Sequence, residues 1–414
     1  MQLVFDLDGT LFQTAECTVN AVRRLRGELG LPPVSDETAV RNIGKTSGQF
    51  LRAALWDGSG VDFARVGERL RELERREVAE HGALFPGIHE MLKRLSQKHT
   101  LCICSNGSAE YISLVLSSTG IARFFSAKLS TGKFESKTAA VKALLHEDRT
   151  AAVIGDTVAD AEAAKANRLP FILAAYGYGR GFPSELEAAS FTAGNAGEVE
   201  AQLNRIELFY KLSGCLRGKR VVGISGVDTS GKTEFTQAYS KFLTAVGVKN
   251  QVLHLDDFHN PSAVRGMGGS PVDAYYQNAF NYGKLIREVL APLREKGRLD
   301  KTVTCLDLDT DEYRNRVTYR VEEDAVLLIE GVLLFRPPVL SFLNGTIFLD
   351  IPFDEMLRRA RMRDVPKYGE AFLQRYREKY IPIQERYLRE HRPKERCDVL
   401  IDNRDYNAPL MVRG

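Results

Sequence analysis

Short, continuous apolar runs set the rhythm of this chain. Residues 3–5, 101–104, 151–154 and 171–174 are hydrophobic without alternation, the pattern of strands buried on both faces of a parallel sheet. Each is followed by a loop and then a helix-period segment. Between the first two runs lies a long insertion, about 15–81, that is mostly helical. Its stretch 65–80 (RVGERLRELERREVAE) pairs opposite charges at i, i+4 and reads as a solvated helix face. Near 194–198 the composition turns to Gly, Asn and Ala, a helix follows from about 198 to 212, and a new strand starts at 219–224. The second half repeats the strand–helix rhythm, with strands near 220–225, 251–255, 325–330, 346–350 and 398–402. The boundary is expected near residue 205, giving a first domain over 1–200 and a second over 206–414. Fold class is α/β: two three-layer α/β/α domains with mainly parallel sheets.

A chain of 414 residues agrees with two cores of this size. Hydrophobic residues at 44% and charged residues at 27% describe a globular protein, and a net charge of +3 gives no sign of a polyanion-binding surface. Cys17, Cys102, Cys104, Cys215, Cys305 and Cys397 form no CxxC pair and are expected to be reduced core thiols. The chain opens straight into a strand, which leaves no room for a signal peptide, and no apolar stretch approaches the ~20 residues of a membrane helix. A cytoplasmic protein is expected.

The chemistry-bearing residues stand where the predicted strands end. Asp6-Leu7-Asp8-Gly9-Thr10 follows the first strand, so two carboxylates leave one strand end together. One can attack phosphorus while the other shuttles a proton, with Mg²⁺ neutralising the charge between them. Ser105 and Asn106 follow the second strand and suit phosphate oxygens. Lys137 precedes an amphipathic helix, with Lys133 a competitor for the same role. Gly155-Asp156-Thr157 and Asp160 follow the third strand and fit a hard-cation site.

DxDGT, then Ser-Asn, then Lys, then GDxxxD resembles the haloacid dehalogenase superfamily over about residues 1–195. The resemblance implies a Rossmann-like phosphatase core. Asp6 is then the nucleophile that forms an aspartyl-phosphate and Asp8 the acid/base, while Ser105 and Lys137 hold the phosphate. Asp6, the Asp8 carbonyl and Asp156 bind Mg²⁺, with support from Asp160. It also implies that the insertion is a helical cap which sets substrate choice. Within the cap, 41–46 (RNIGKT) is the candidate specificity loop, with Lys45 or Arg41 to meet a substrate anion. A closed cap suits a small phosphomonoester.

In the second half, Gly226-Val227-Asp228-Thr229-Ser230-Gly231-Lys232-Thr233 matches GxxxxGK[ST] between a strand and a helix. Backbone N–H groups of such a loop cradle phosphates, Lys232 reaches the β/γ-phosphates of ATP and Thr233 ligates Mg²⁺. The next strand ends in Asp256-Asp257-Phe258-His259, carboxylates for an acceptor hydroxyl, and another ends in Glu330-Gly331, placed for the metal's outer shell. Residues 354–364 pack four arginines into six positions, as a phosphate-closing lid requires. Tyr275, Tyr276 and Tyr313 can stack on a base or sugar or belong to the core.

Together these residues resemble the uridine kinase and phosphoribulokinase branch of P-loop kinases over about 218–403. That implies a P-loop NTPase fold, with Asp257 or else Asp256 as base, Glu330 supporting Mg²⁺, and Arg359 and Arg363 acting from the lid. Two departures stand out. Uridine kinases have DSFY where this chain has DDFH, and 273–276 (DAYY) replaces their Asn-Phe-Asp-His-Pro. Recognition of base and ribose through Asp256, His259 and Tyr275 is therefore open. A bifunctional phosphatase–kinase acting on a small phosphomonoester and a small nucleoside or sugar-like acceptor is expected. The alternatives are nucleic-acid end repair, since polynucleotide kinase-phosphatases have this domain order, and a nucleotide-sensing loop that regulates the phosphatase. Near-neutral charge and a capped site argue against a nucleic-acid partner. Oligomeric state is left open.

Overall fold

A computed structural model describes residues 1–43, 45, 47–54, 62–146, 150–179 and 182–414. It divides into two compact units, Met1–Glu207 and Leu208–Gly414.

In the first unit, strands β1 (Gln2–Phe5), β2 (Thr100–Ser105), β3 (Phe125–Ser130), β4 (Ala151–Gly155), β5 (Phe171–Ala174) and β6 (Phe191–Ala193) form one sheet in the order β3-β2-β1-β4-β5-β6. Every pairing is parallel. β1 is central, and its residues are all buried because helices cover both faces. Phe5 is level with Ile103 and with Ile154, so the loops after β1, β2 and β4 emerge side by side.

The insertion after β1 is helical: Thr14–Glu28, Asp36–Val40, Ser47–Ala54 and Phe63–His81. It has a small core of its own, Ala21, Val22, Leu25, Phe50, Leu51, Val66, Leu70 and Leu73. The apolar positions of Phe63–His81 recur three to four apart, which turns one face inward. Arg69–Glu72 (2.7 Å) and Arg76–Glu80 (2.8 Å) decorate the outer face as expected; such exposed pairs contribute only about 0.3–0.5 kcal/mol each. Glu77 departs from a solvated face. It is fully buried, with Arg24 at 3.1 Å and Asn20 donating at 3.1 Å.

The second unit has β7 (Val221–Gly226), β8 (Asn250–His254), β9 (Leu299–Asp307), β10 (Glu312–Val321), β11 (Val326–Gly331), β12 (Gly345–Asp350), β13 (Val399–Asp402) and β14 (Leu410–Arg413). Its main sheet runs β14-β13-β12-β7-β11-β8, parallel except for β14 at the edge. β9 and β10 pair with each other as a separate antiparallel hairpin, an element the apolar-run pattern does not predict. Five cysteines are buried; Cys215 is exposed, which corrects the expectation of core thiols throughout. Among the described residues no helix is long and apolar enough to cross a membrane.

Candidate active sites

The loop after β1 turns back immediately, and Gly9 explains how. Its φ is +81°, and a Cβ there would lie 2.2 Å from Asp156 Oδ2, so only glycine lets the first motif close against the acid after β4. Asp156 is held in place by donors to its carboxylate: the N–H of Tyr178 at 2.8 Å and of Gly179 at 3.0 Å, with Thr10 Oγ1 at 3.3 Å. Asp160 accepts from the N–H and hydroxyl of Thr157, which fastens it to the start of the helix Val158–Ala166.

Asp6, Asp156 and Asp160 are all buried, and one carboxylate oxygen from each lies within 4.8 Å of the others. Lys137, at the start of the helix Lys137–Leu144, reaches into the cluster, 2.8 Å from Asp6 Oδ1 and 2.6 Å from Asp160 Oδ1. Lys133 is exposed. Burial, then Asp160, pushes Asp6 well above the usual carboxylate range, with Lys137 pulling the other way. Burial and Asp160 raise Asp156 to about 7. For Lys137 burial opposes the charge, but Asp160 and Asp6 outweigh it and hold the ammonium protonated. Three buried carboxylates against one ammonium leave an excess of negative charge, and this hard-oxygen set fits a small divalent cation.

Asp8 faces a different environment. Its Oδ1 accepts from Thr14 Oγ1 at 2.6 Å and Tyr111 Oη at 2.7 Å. Burial raises its pKa, and those donors only partly offset the rise. Glu74, on the helix Phe63–His81, is itself raised to about 7 by burial and by the field of Asp8. Thr14, Tyr111 and Glu74 are missing from the sequence reading, and only tertiary contact reveals them. Ser105 is buried at the end of β2 and accepts from the Gly107 N–H; Asn106 Oδ1 accepts from Thr131 Oγ1 at 2.6 Å. In the stretch 41–46 Arg41 is exposed, and Lys45 donates to Asn42 Oδ1 at 2.6 Å; Gly44 and Thr46 lie outside the described residues.

In the second unit β7 stands between β12 and β11, and the loop leaving it enters the helix Lys232–Ala245. Gly231 has φ +86°, the left-handed turn into that helix. Lys232 is buried and donates to the Val227 carbonyl at 2.8 Å; burial lowers its pKa. Ser230 is buried too. Glu330 on β11 is level with His254 on β8. Its Oε1 lies 2.6 Å from His254 Nδ1 and accepts from Thr233 Oγ1 at 3.2 Å. That hydrogen bond holds the His254 pKa up. Next to it, Asp257 Oδ2 accepts from Tyr319 Oη of the β9–β10 hairpin at 2.6 Å. Burial raises Asp257 and the tyrosine opposes the rise. Asp256 is open to solvent, whereas His259 is buried against Phe280 with Nδ1 3.0 Å from the Asp256 carbonyl.

The arginines divide. Arg363 is exposed beside Asp364. Arg359 is not on an open lid: it is buried, paired with Glu355 at 2.6 Å, and donates to the carbonyls of Thr229, Asn403 and Arg404. An i, i+4 acid and three carbonyls occupy its guanidinium, so it ties the helix Phe353–Tyr368 to the loop 226–233. Tyr276 is core, donating to Glu390; Tyr313 is exposed under Lys284; Tyr275 is half-buried beside Tyr380.

Comparison with known proteins assigns the two halves separately. Residues 3–174 match the family model for haloacid dehalogenase-like hydrolases, and residues 221–389 that for the phosphoribulokinase / uridine kinase family. A phosphoglycolate phosphatase of Pseudomonas putida is 28% identical over 203 residues, 45% of this chain and 74% of that protein. One of Thiobacillus denitrificans is 29% identical over 195 residues, 44% of this chain and 86% of that protein. Among solved structures, a predicted phosphoglycolate phosphatase from Haemophilus somnus is 19% identical, with TM-score 0.45 and coverage of 48% of this chain and 95% of that one. A possible uridine kinase from Bacillus stearothermophilus is 24% identical, with TM-score 0.39 and coverage of 49% and 98%. The first half of the chain therefore matches haloacid dehalogenase-like hydrolases and the second the phosphoribulokinase / uridine kinase family, which supports hydrolase and kinase activities in one chain.

Proposed function

We propose that residues 1–200 hydrolyse a small phosphomonoester through an aspartyl-phosphate, and that residues 206–414 transfer phosphate from ATP to a hydroxyl of a small nucleoside or sugar-like acceptor, in the cytoplasm. The observation that carries the reading is that each unit gathers carboxylates, a lysine and a hydroxyl at the C-terminal ends of its parallel strands, the arrangement phosphate chemistry needs.

In the first unit an Asp6 carboxylate oxygen attacks phosphorus as the bond to the leaving oxygen breaks, and Asp8 gives that oxygen a proton. The raised pKa of Asp8 favours its holding that proton beforehand. Water, losing a proton to Asp8, then attacks the same phosphorus, which releases phosphate and restores Asp6. Ser105, Asn106 and Lys137 would hold the phosphate oxygens. Asp6, Asp156 and the Asp8 carbonyl, with Asp160 behind them, would hold Mg²⁺, whose charge allows carboxylates and phosphate to share the pocket. Arg41 and Lys45 remain candidates for substrate contact, and phosphoglycolate is the first compound to try because the relatives carry its name.

In the second unit the loop 226–233 and Lys232 grip the phosphates, and Thr233 with Glu330 would hold a second Mg²⁺. Asp257 takes the acceptor's proton as its oxygen attacks the γ-phosphorus and ADP departs. Arg363 supplies charge from the rim. The test is a screen of purified protein against phosphomonoesters including phosphoglycolate, and of ATP with nucleosides, sugars and a 5′-hydroxyl oligonucleotide. Hydrolysis and transfer to small molecules are expected. Transfer to the oligonucleotide alone would replace this reading with end repair, and ATP binding without transfer would leave a sensor domain.

A further inference from the structure

A carboxylate sits inside the phosphate-binding loop of the second unit, where a negative charge is out of place. Asp228 is the third residue of that loop, and a side chain directed at ATP phosphates would repel them. Its hydrogen bond comes instead from a neutral amide, Gln384 Nε2 at 2.9 Å on the helix Ile381–His391. Lys232, the loop's cation, donates to the Val227 carbonyl. Asp228 thus lies between the helix that carries Gln384 and the charge of Lys232.

The amide that holds it is itself incomplete. Gln384 is 2% exposed, yet its Oε1 has no hydrogen-bond partner among the described residues. A buried acceptor atom without a donor is costly unless a ligand or water supplies one. The charges of Asp228, Asp256 and Arg265 all act on half-buried Tyr275, whose ring lies 6.0 Å from that of Tyr380 and 4.6 Å from Lys379 Nζ. Lys232 and, more weakly, Arg363 also act on Asp228.

We propose that Asp228 and Gln384 form an acceptor subsite in which the free carboxylate oxygen of Asp228 and Oε1 of Gln384 accept from two adjacent hydroxyls of an uncharged polyol-type acceptor. A third hydroxyl of the acceptor is then presented to Asp257. Two neighbouring side chains that each offer an acceptor atom select hydroxyl donors, and the carboxylates of Asp228 and Asp256 disfavour an anionic group at that point. The subsite rests on the kinase reading above. Asp228 is here specificity-determining, and Gln384 both positions it and contributes a contact.

The test uses the full chain and separates the two claims. Calorimetry measures Mg·ATP binding to wild type, Asp228→Asn and Gln384→Met. Transfer from ATP is then followed with uridine, adenosine, D-ribose and glycerol, and with 2′-deoxyuridine and 2-deoxy-D-ribose as counterparts lacking one hydroxyl. The wild type is expected to prefer a diol over its deoxy counterpart, and Asp228→Asn to raise the diol's KM by about tenfold or more, the worth of a charged hydrogen bond. ATP affinity is read alongside, so that a change in nucleotide binding is told apart from a change at the acceptor. The ratio of diol to deoxy KM should collapse towards one in Asp228→Asn, an effect a purely structural role would not produce, and Gln384→Met should move it the same way by a smaller factor. An unchanged ratio, weakened ATP binding with intact acceptor KM, or no transfer to any of these compounds by an ATP-binding wild type overturns the subsite. A wild type that does not bind ATP removes the kinase reading itself.

Discussion

Replacing Lys137 with methionine, which keeps the length and removes the charge, probes the phosphatase centre most sharply. The ammonium lies 2.8 Å from Asp6 and 2.6 Å from Asp160, and all three side chains are nearly inaccessible. Breaking a buried pair by deleting one partner typically costs about 3–5 kcal/mol, because the remaining charge stays desolvated. Here two carboxylates lose their counter-charge, and they can relieve the penalty only by taking up protons. Asp156 already titrates near 7 and Asp6 well above its ordinary value. A carboxylate whose folded pKa exceeds its unfolded one binds a proton in the native state that the unfolded chain lacks. Its contribution to stability is therefore greatest at low pH and falls as pH rises from about 4 through the folded pKa. Without Lys137 those folded pKa values rise further, so the variant's deficit should widen from about pH 5.5 to about pH 8, and Mg²⁺ should recover part of it. The assay is urea unfolding of variant and wild type side by side, followed by far-UV circular dichroism. A deficit under about 1 kcal/mol, equal at both pH values and indifferent to Mg²⁺, would contradict the electrostatic reasoning, since that is the worth of an exposed pair.

Other positions give simpler expectations. Tyr319→Phe removes the donor that stabilises ionised Asp257, so the acidic limb of the kinase pH–rate profile should shift upwards; an unshifted limb would detach the hairpin from the base. Gly9→Ala forces a Cβ to within 2.2 Å of Asp156 Oδ2 at a left-handed φ, and should abolish phosphomonoester hydrolysis while ATP binding persists, measured side by side. Lys45→Ala should raise the phosphatase KM with little change in kcat if the cap loop meets a substrate anion; unchanged kinetics would return it to an ordinary surface lysine.

What the sequence made legible follows from where each signal lies. β1, β2, β4 and β5 are short runs buried along nearly their whole length, and the motifs at 6–10, 105–106 and 155–160 each lie within a few residues of such a run, so local pattern suffices there. β3 is half exposed, and β10 is exposed along most of its length, so neither offers a continuous apolar run. Glu77 looks like its charged neighbours, and only packing against Arg24 and Asn20 buries it. Arg359 has the composition of a lid, but its partners at Thr229, Asn403 and Arg404 come from elsewhere in the chain. Tyr319 and Gln384 act on residues 62 and 156 positions away, a separation no motif spans.

The most direct measurement compares Asp6→Asn and Lys232→Ala in both reactions on one preparation of each variant. Asp6→Asn should lose phosphomonoester hydrolysis by far more than about tenfold, since an amide cannot attack phosphorus, and keep its use of ATP. Lys232→Ala should weaken ATP use and leave hydrolysis as in the wild type. If either substitution removes both activities, or Asp6→Asn hydrolyses substrate within about tenfold of wild type, two independent phosphate centres do not exist in this chain.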